Sequence, residues 1–383
     1  MKSLPQILQN KLSEREEANA LRYFPEASLK IDYYSNDYLN FSSNPSLKRS
    51  TTRLLKKYST KLGATGSRLL SGNHRLYSDV ENQIADFHNV EKALIFNSGY
   101  TANVGFFSCI PQRGDIVFYD EIIHASIRDG LKISLAKSYS FKHNDVEDLR
   151  EKSERITQKH SGQVYVVTES VFSMDGDSPD LISLAAFCAA SDFLLVVDEA
   201  HALGVLGHKG VGLVQELGIQ DNVFAQIITF GKALGCHGAA VLCNHDLYIY
   251  LVNFARSLIY TTGLSPHAVA SIGAGYEHLS RLPETLFQDK LLNNIAHFNA
   301  EVNRLALRSF FPQSNSAIQC CLLSGNENVK AVAVILKNYN YEVKPILSPT
   351  VPLGKERLRF CIHTNNTPQE ITQILEIVVN TIP

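Results

Sequence analysis

The sequence has no marked excess of either charge and no long apolar run. Its 383 residues include 36 Lys and Arg against 38 Asp and Glu, which leaves a net charge of −2. A chain without excess positive charge lacks the basic surface that nucleic acids and anionic membranes attract. No apolar run approaches the roughly 20 residues that span a bilayer, and the first residues do not form the apolar segment of a signal peptide. We therefore expect a soluble, cytoplasmic protein.

The cysteines argue against two kinds of cross-linked protein. There are seven of them, an odd number, and no two are spaced as Cys-x-x-Cys. An odd count disfavours a complete disulfide framework, and the absence of such pairs disfavours a structural zinc site. We therefore expect reduced thiols and no bound metal.

The middle of the chain alternates short apolar runs with amphipathic segments, which is the pattern of an α/β fold with a parallel sheet. The apolar runs predict five strands: Ala93–Phe96, Asp115–Tyr119, Gln163–Thr168, Phe193–Asp198 and Phe224–Thr229. They show no polar alternation, as expected where helices cover both faces of a sheet. Between and beside them, helices are predicted at Ser78–His88, Val146–Gln158 and Leu181–Ala190. A sixth run, Gly238–Cys243, follows too closely for a crossover helix and is predicted to be antiparallel.

The pattern changes near residue 282, where a smaller α+β domain is expected to begin. A long helix is predicted over Glu284–Leu307, and a strand over Arg357–Ile362. Alternation in that strand places Arg357 and Arg359 on the same face. The predicted organisation is an N-terminal arm over residues 1–45, a large domain over 46–281 and a small domain over 282–383.

The last helix has a clear start signal. Thr367-Pro-Gln-Glu370 combines a capping box with proline at the first helical position. An apolar stripe of Ile371, Ile374, Leu375 and Val378 follows at helical spacing.

Two residues at predicted strand ends are unusual for their position. Asp198 directly follows four apolar strand residues, and a buried carboxylate there needs a compensating partner. Lys232 follows the next strand among small residues, where poor solvation lowers the pKa of an amine and favours its nucleophilic form. A capping Asp or a surface Lys would be the ordinary interpretation of either residue alone. Together they are the acid and the amine that pyridoxal phosphate requires.

The same cofactor needs a phosphate site. Gly99 and Tyr100 lie where the strand Ala93–Phe96 turns into a helix, and free N–H groups at a helix N-terminus attract phosphate. Thr229 could add a hydroxyl to the same phosphate. A dinucleotide Gly-x-Gly-x-x-Gly motif does not occur in the sequence. The Asp-Glu-Ala-His sequence at Asp198 occurs in ATPases, but the chain contains no Gly-x4-Gly-Lys-Ser/Thr phosphate loop, which excludes that class.

Three further polar residues follow predicted strands. His124 could lie flat on a cofactor ring, His201 is three residues beyond Asp198, and Ser173 could bind a ring hydroxyl. Each taken alone could equally be structural. In open α/β sheets, however, ligands bind beyond the carboxyl ends of the strands, where all three are expected.

The ordered set of motifs resembles the α-oxoamine synthase family of fold-type I pyridoxal-phosphate enzymes. The motifs with catalytic residue types are Asn97-Ser-Gly-Tyr, His124-Ala-Ser, Phe172-Ser-Met-Asp-Gly-Asp, Asp198-Glu-Ala-His and Thr229-Phe-Gly-Lys. Further matching segments are Ala20-Leu-Arg22, Ser35-Asn-Asp-Tyr-Leu39, Gly63-Ala-Thr-Gly-Ser-Arg68, Ile259-Tyr-Thr-Thr262 and Pro349-Thr-Val-Pro-Leu-Gly. The likeness covers nearly the whole chain. It departs locally at Leu203, where the family often has Thr or Ser, and at Asn40, where Gly is common.

The resemblance implies an aspartate-aminotransferase-like fold, a homodimer with shared active sites and specific residue roles. Catalytic roles fall to Lys232, which would form the Schiff base, and to His124, Asp198 and His201. The implied cofactor-binding residues are Gly99, Tyr100, His124, Ser173, Asp198, His201, Thr229, Lys232 and Thr262. The implied substrate-binding residues are Arg22, Asn36, His124, Thr350 and Arg359, with Arg357 as the second choice for the carboxylate.

The implied reaction is a decarboxylative condensation of an amino acid with an acyl-CoA or acyl-carrier-protein thioester. The expected substrates are L-alanine and a pimeloyl thioester, as in biotin synthesis. Alternatives within the family are glycine C-acetyltransferase and a synthase for a signalling or lipid amino ketone. A non-catalytic partner subunit that binds the cofactor is a further alternative, which the presence of Lys232 and Arg359 disfavours.

Overall fold

Helices and strands alternate along most of the chain in the computed structural model, which describes residues 3–24, 30–58, 61–158, 161–281 and 286–382. The strands are β1 Ile31–Tyr33, β2 Lys92–Phe96, β3 Ile116–Asp120, β4 Lys137–Phe141, β5 Val164–Glu169, β6 Leu194–Asp198, β7 Val223–Thr229, β8 Ala239–Cys243, β9 Ile318–Leu322, β10 Tyr341–Ile346 and β11 Arg357–Cys361. The helices are α1 Gln6–Glu17, α2 Pro45–Tyr58, α3 Arg75–His88, α4 Gly99–Cys109, α5 Ala125–Ile133, α6 Val146–Thr157, α7 Leu181–Ala190, α8 Leu213–Glu216, α9 His245–Phe254, α10 Arg256–Ile259, α11 Pro266–Arg281, α12 Leu286–Arg304, α13 Asn326–Asn338 and α14 Pro368–Val379.

The chain divides into two compact units. The first comprises Met1–Ser35, Met174–Gly176 and Leu291–Pro383, and the second comprises Asn36–Ser173 and Asp177–Lys290. The predicted domain limits at residues 45 and 281 differ from these, and both residue 282 and the predicted helix start at Glu284 lie outside the described residues.

The second unit is built on a seven-stranded sheet with the order β2-β8-β7-β6-β5-β3-β4. Neighbouring strands are parallel except for β8, which is antiparallel to both β2 and β7. The predicted mostly parallel α/β sheet and its antiparallel sixth run are therefore confirmed. Because β8 runs against both neighbours, β2 and β7 point the same way and end at the same edge of the sheet.

Helices bury both faces of this sheet, as the continuous apolar strands predict. Alternate residues of one strand enter opposite cores: Val196 packs with α4 and α5, whereas Leu195 and Val197 pack with α7. All three of these side chains are fully buried. The strands are thus held rigidly from both sides, which fixes the positions of the residues at their carboxyl ends.

The first unit carries a four-stranded sheet in the order β1-β10-β11-β9. Strand β1 is parallel to β10, and the other two pairs are antiparallel. Helix α14 begins at the predicted capping box, in which Thr367 Oγ1 accepts from the Glu370 N–H at 3.2 Å and the Glu370 carboxylate accepts from the Thr367 N–H at 2.7 Å. Its stripe from Ile371 to Val378 is buried.

One turn in the second unit has a left-handed backbone conformation. Asn40, which stands where the family commonly has Gly, adopts the left-handed region with φ of 55°. Asn is among the non-glycine residues that tolerate this region best, so the turn keeps its geometry.

Within the described ranges, no helix combines the length and apolar character needed to cross a bilayer.

Candidate active site

A cavity of about 170 Å³ opens at the carboxyl ends of three neighbouring strands in the second unit. Glu169, Asp198 and Thr229 are the last residues of β5, β6 and β7, and all three line it. The remaining lining residues are Gly99, Tyr100, Asn103, His124, Ser126, Ala200, His201, Ile227 and Lys232. The cavity therefore combines an amine, two carboxyl groups and two imidazoles.

The amine of Lys232 belongs to a line of hydrogen bonds. Lys232 Nζ lies 2.7 Å from Nε2 of His201, and Nδ1 of His201 lies 2.7 Å from the Tyr38 hydroxyl. Tyr38 in turn donates to Oδ1 of Asn36 at 3.2 Å. His201 and Tyr38 are buried, so the amine is positioned by groups that have little freedom to move.

Asp198 is held by two hydrogen bonds from the protein. Its Oδ1 accepts from the Ala200 N–H at 2.9 Å, and its Oδ2 accepts from Nδ2 of Asn103 at 2.9 Å. The residue is 5% exposed. A buried carboxylate with this limited set of partners is suited to pairing with a cationic group of a bound ligand.

Glu169 is a second buried acid on the cavity wall, directly beside Asp198 in the β5–β6 register. Its Oε1 accepts from the backbone N–H of His124 at 2.5 Å. Burial, together with the nearby charge of Asp198, raises the pKa of Glu169 to about 8, against the opposing effect of Lys232. Glu169 is therefore mostly protonated at neutral pH.

His124 lies at the N-terminus of α5 and is exposed to the cavity. Its Nδ1 lies 2.7 Å from Oγ of Ser126, which in turn lies 3.0 Å from Nδ2 of Asn103. The loss of surrounding water lowers the pKa of His124, although Asp198 opposes that effect. The imidazole is therefore neutral at neutral pH.

The N-terminus of α4 provides the candidate phosphate site. Ser98 and Thr101 form a capping box, with Ser98 Oγ accepting from the Thr101 N–H at 3.2 Å. That box leaves out the N–H groups of Gly99 and Tyr100, the first two residues of the helix. Thr229 lies beside them, 3.5 Å from the position that a Cβ at residue 99 would occupy, and its hydroxyl donates to the Gly238 carbonyl.

A charged cluster holds the loop that follows β5. His143 Nδ1 contacts Asp120 at 3.0 Å, and His143 Nε2 contacts Asp177 at 2.8 Å. Asp177 also accepts the Phe172 N–H through its backbone carbonyl, which closes the loop containing Ser173. Loss of water lowers the pKa of His143, but the two carboxylates outweigh it and raise the value to about 10.

The predicted substrate-binding residues Arg22 and Thr350 contact each other within the first unit, and Arg357 contacts another part of that unit. Arg22 donates to the Thr350 hydroxyl at 3.2 Å. Arg357 forms a salt bridge with Asp175 and donates to the Met174 carbonyl at 2.9 Å, whereas Arg359, two residues along β11, is also buried. The guanidinium of Arg357 therefore has a structural partner within the first unit.

The cavity brings together seven of the predicted residues: Gly99, Tyr100, His124, Asp198, His201, Thr229 and Lys232. Among the described residues, Ser173, Thr262 and Asn36 do not line it, and Asn36 is connected to it through Tyr38 and His201. Thr262 accepts from Nδ2 of Asn97 at 2.7 Å through its backbone carbonyl.

Sequence reasoning missed four residues of this site: Tyr38, Asn103, Ser126 and Glu169. Glu169 carried a usable signal, because it ends an apolar strand as Asp198 does. Ser126 lies two residues after His124, within the motif already identified. Tyr38 lies within the matching segment Ser35-Asn-Asp-Tyr-Leu39, but that motif alone does not show its contact with His201, and nothing local marks Asn103.

The chain is similar to known proteins over most of its length. A family model described as aminotransferase class I and II matches residues 30–378. An 8-amino-7-oxononanoate synthase from Emericella nidulans is 40% identical over an alignment of 399 positions, which covers 98% of this chain and 95% of that protein. Another 8-amino-7-oxononanoate synthase, from Lysinibacillus sphaericus, is 33% identical over 344 residues, which cover 90% of this chain and 86% of that protein.

Solved structures include two related kinds of enzyme. A serine palmitoyltransferase variant from S. paucimobilis with a bound PLP–myriocin aldimine superposes with a TM-score of 0.88 at 25% identity, covering 98% of this chain and 96% of that chain. An 8-amino-7-oxononanoate synthase from Francisella tularensis superposes with a TM-score of 0.76 at 30% identity, covering 92% of this chain and 97% of that chain.

Proposed function

This chain belongs to the aminotransferase class I and II family and, within it, to the α-oxoamine synthases, and from that premise we propose its reaction. With pyridoxal 5'-phosphate (PLP) as cofactor, it condenses L-alanine with a pimeloyl thioester of CoA or a carrier protein. The products are 8-amino-7-oxononanoate, CO2 and the free thiol, and the step belongs to biotin synthesis. The observation that carries the proposal is that Lys232 and Asp198 line one small cavity.

The side chains of the cavity fit PLP. Lys232 supplies an amine for the aldehyde, Asp198 a carboxylate for the pyridine nitrogen, and the start of α4 a pair of N–H groups for the phosphate. His124 is exposed to the cavity and offers a flat imidazole surface. When bound, PLP supplies an electron-poor ring that stabilises negative charge on the substrate α-carbon.

Lys232 is the residue that moves the proton. Its amine, oriented by His201 at 2.7 Å, takes the proton from the α-carbon of alanine and later returns one to the product. Asp198 would hold the pyridine nitrogen in its cationic form, whereas Glu169 beside it is mostly protonated. The two acids therefore have different tasks set by their environments.

Substrate binding is assigned to the remaining predicted residues. Arg359 would bind the carboxylate of the amino acid, as the family resemblance implies, because a guanidinium can pair with a carboxylate through two hydrogen bonds. Asn36 would orient the same substrate, and Arg22 with Thr350 would contact the acyl chain.

A homodimer would complete the site. Tyr100, which lines the cavity, is exposed, and so are Leu62, Leu69, Leu70 and Tyr260; the five exposures lie between 51% and 96%. Their segments are joined, because Gly263 donates to the Gly66 carbonyl and Asn97 donates to the Thr262 carbonyl. Exposed apolar patches of this kind are typical of protein–protein interfaces. Thr262, which lies in this patch, would then serve the cofactor of the second subunit.

A serine palmitoyltransferase-like reaction is the second candidate, favoured by the higher TM-score of that structure. The sequence relatives at 33–40% identity over most of the chain favour the 8-amino-7-oxononanoate synthase reaction instead. Fold similarity reports the shared scaffold, whereas sequence identity is more sensitive to the lining of the substrate pocket.

The deciding experiment measures thiol release by the PLP-loaded protein with three substrate pairs: alanine with pimeloyl-CoA, serine with palmitoyl-CoA, and glycine with acetyl-CoA. We expect rapid release only with the first pair, together with the 8-amino-7-oxononanoate mass. Release with serine and palmitoyl-CoA alone would reassign the substrates but keep the family chemistry. No release with any pair, in protein that binds PLP, would overturn the proposed reaction.

A further inference from the structure

We propose that Asn103 and Ser126 are positioning residues that hold the imidazole of His124 in one neutral tautomer, with its proton on Nε2. Neither residue was assigned a role by the sequence motifs. The proposal rests on the proposed function only where it assigns a purpose to this tautomer. The hydrogen-bond directions themselves follow from described contacts within the second unit.

The direction of the first hydrogen bond is set by a carboxylate. Nδ2 of Asn103 lies 2.9 Å from Oδ2 of Asp198. If the amide were turned over, its oxygen would face the carboxylate oxygen and repel it, so Nδ2 must be the group that points there. The same NH2 group has a second proton, which it donates to Oγ of Ser126 at 3.0 Å.

The direction of the second hydrogen bond follows from the first. Because Ser126 Oγ accepts from Asn103, its own proton is available for another acceptor, and Nδ1 of His124 lies 2.7 Å away. The backbone N–H of Ser126 also points at Nδ1, at 3.2 Å, and a backbone N–H can only donate. Nδ1 thus receives two donors and cannot itself carry a proton. A neutral ring must then carry its proton on Nε2.

Burial makes this arrangement stable. Asn103 is 2% exposed and Ser126 is fully buried, so water cannot easily replace a lost partner. Oδ1 of Asn103 is buried and has no hydrogen-bond partner among the described residues. A buried amide oxygen without a hydrogen-bond partner is energetically unfavourable. The nitrogen of the same amide supplies the two hydrogen bonds donated to Asp198 and Ser126.

The tautomer has a chemical purpose beside a cofactor whose ring nitrogen is cationic. The charged groups that act on His124 are Asp198 and Asp129, which favour its protonation, and Lys232, which opposes it. Its backbone is held by Glu169, which is mostly neutral. A neutral imidazole can lie against a cationic ring without charge repulsion, and its Nε2–H remains a donor for an oxygen atom of a substrate.

The test reads the tautomer directly by solid-state NMR of protein labelled with [15N]histidine. The sample is the PLP-loaded protein, and His124 is assigned as the signal pair that disappears in a His124→Asn variant. We expect an Nδ1 resonance typical of a bare ring nitrogen and an Nε2 resonance typical of a protonated one. The opposite assignment in the unaltered protein would overturn the proposal.

Variants then test whether Asn103 and Ser126 are responsible. Ser126→Ala and Asn103→Leu should raise the fraction of the Nδ1–H tautomer or of the doubly protonated ring, whereas Ser126→Thr keeps the hydroxyl and should match the unaltered protein. Unchanged His124 resonances in folded Ser126→Ala and Asn103→Leu would overturn the assigned roles. Because the readout involves no turnover, its failure is distinguishable from failure of the proposed condensation.

Discussion

Lys232 and Tyr38 are connected through a single imidazole. Nε2 of His201 lies 2.7 Å from Lys232 Nζ, and Nδ1 lies 2.7 Å from the Tyr38 hydroxyl. Since Tyr38 donates its own proton to Asn36, it accepts from Nδ1–H of His201. Nε2 is therefore left as an acceptor for the lysine amine. The position of the reactive amine depends on a tyrosine that does not touch the cavity.

Replacing Tyr38 by Phe should lower activity without unfolding the protein. Loss of one hydrogen bond of about 1 kcal/mol frees the His201 ring, and we expect roughly a fivefold to tenfold lower kcat with a shifted alkaline limb of the pH–rate profile. Thiol release measured across pH checks both effects. Tyr339→Phe, at an exposed tyrosine, is the matched control. An unchanged pH profile in Tyr38→Phe would show that His201 does not need this contact.

Replacing Lys232 by Ala should remove proton transfer at the α-carbon. We expect kcat to fall by roughly 10²–10⁴-fold or more, because that is the typical contribution of a positioned acid–base group. The absorbance of lysine-bound PLP should also disappear, while the melting temperature changes little. Lys56→Ala, on the exposed side of α2, is the control. Near-normal turnover in Lys232→Ala would assign the base to another residue.

Glu169 should make the cofactor-free protein less stable as the pH rises. Its pKa is raised to about 8 in the folded chain, whereas an unfolded Glu ionises near pH 4.3. Between these values the folded state binds more protons than the unfolded state, so the free energy of unfolding falls with increasing pH. The free energy of unfolding of Glu169→Gln, relative to that of the natural protein, should therefore increase from about pH 4.5 to about pH 8. Urea unfolding across this range measures it.

The difference between the free energies of unfolding of Glu169→Gln and the natural protein, taken at each pH, removes the contribution of groups common to both proteins. Glu154→Gln, at an exposed position on α6, should show no such trend. A difference that stays constant with pH would mean that Glu169 ionises normally.

His143 should show a separate alkaline loss of stability. Its pKa is raised to about 10 by Asp120 and Asp177 against the effect of burial, whereas an unfolded His titrates near pH 6.5. The stabilisation is complete below about pH 6.5 and is lost as the pH rises to about 10. His143→Gln should accordingly be most destabilising at about pH 6, and the gap should narrow by about pH 9.5. Thermal unfolding measures the gap, with exposed His267→Gln as the control.

The exposed apolar patch should mediate dimerisation. Leu70 is 82% exposed, and placing a charge there should weaken an apolar interface by a few kcal/mol, enough to raise the dimer dissociation constant at least about tenfold. Sedimentation velocity over a dilution series measures it for Leu70→Lys. Leu353→Lys, at an 86% exposed leucine of the first unit, is the control. Equal dissociation constants would place the interface elsewhere.

The central sheet was predictable because its strands are buried on both faces and stand out as apolar runs. The five predicted strands match β2, β3, β5, β6 and β7 within one residue at each end. Strand β4 was not predicted, because Lys137–Phe141 lies at the sheet edge and its exposed polar residues interrupt the apolar run. Helix α4 was anticipated only at its start, since its apolar residues do not follow an amphipathic period.

The site was predictable where one strand end supplied one residue, as with Asp198 and Lys232. It was not predictable where distant segments meet. Asn103 lies 95 positions from Asp198 in the sequence, and Tyr38 lies 163 positions from His201. Hydrogen-bond networks of this kind depend on tertiary packing that no local pattern records. The roles of Ser173 and Thr262 stay predictions.

The antiparallel strand β8 fixes the distance between the carboxyl ends of β2 and β7. It lies between β2, which leads to Gly99, and β7, which leads to Lys232, so two strand spacings of about 4.8 Å separate their ends. Backbone hydrogen bonds maintain that span, and side-chain substitutions in either core leave them intact. The distance between an anchored anion and the reactive amine can therefore persist through extensive sequence drift, while pocket residues around it change to admit new acyl donors.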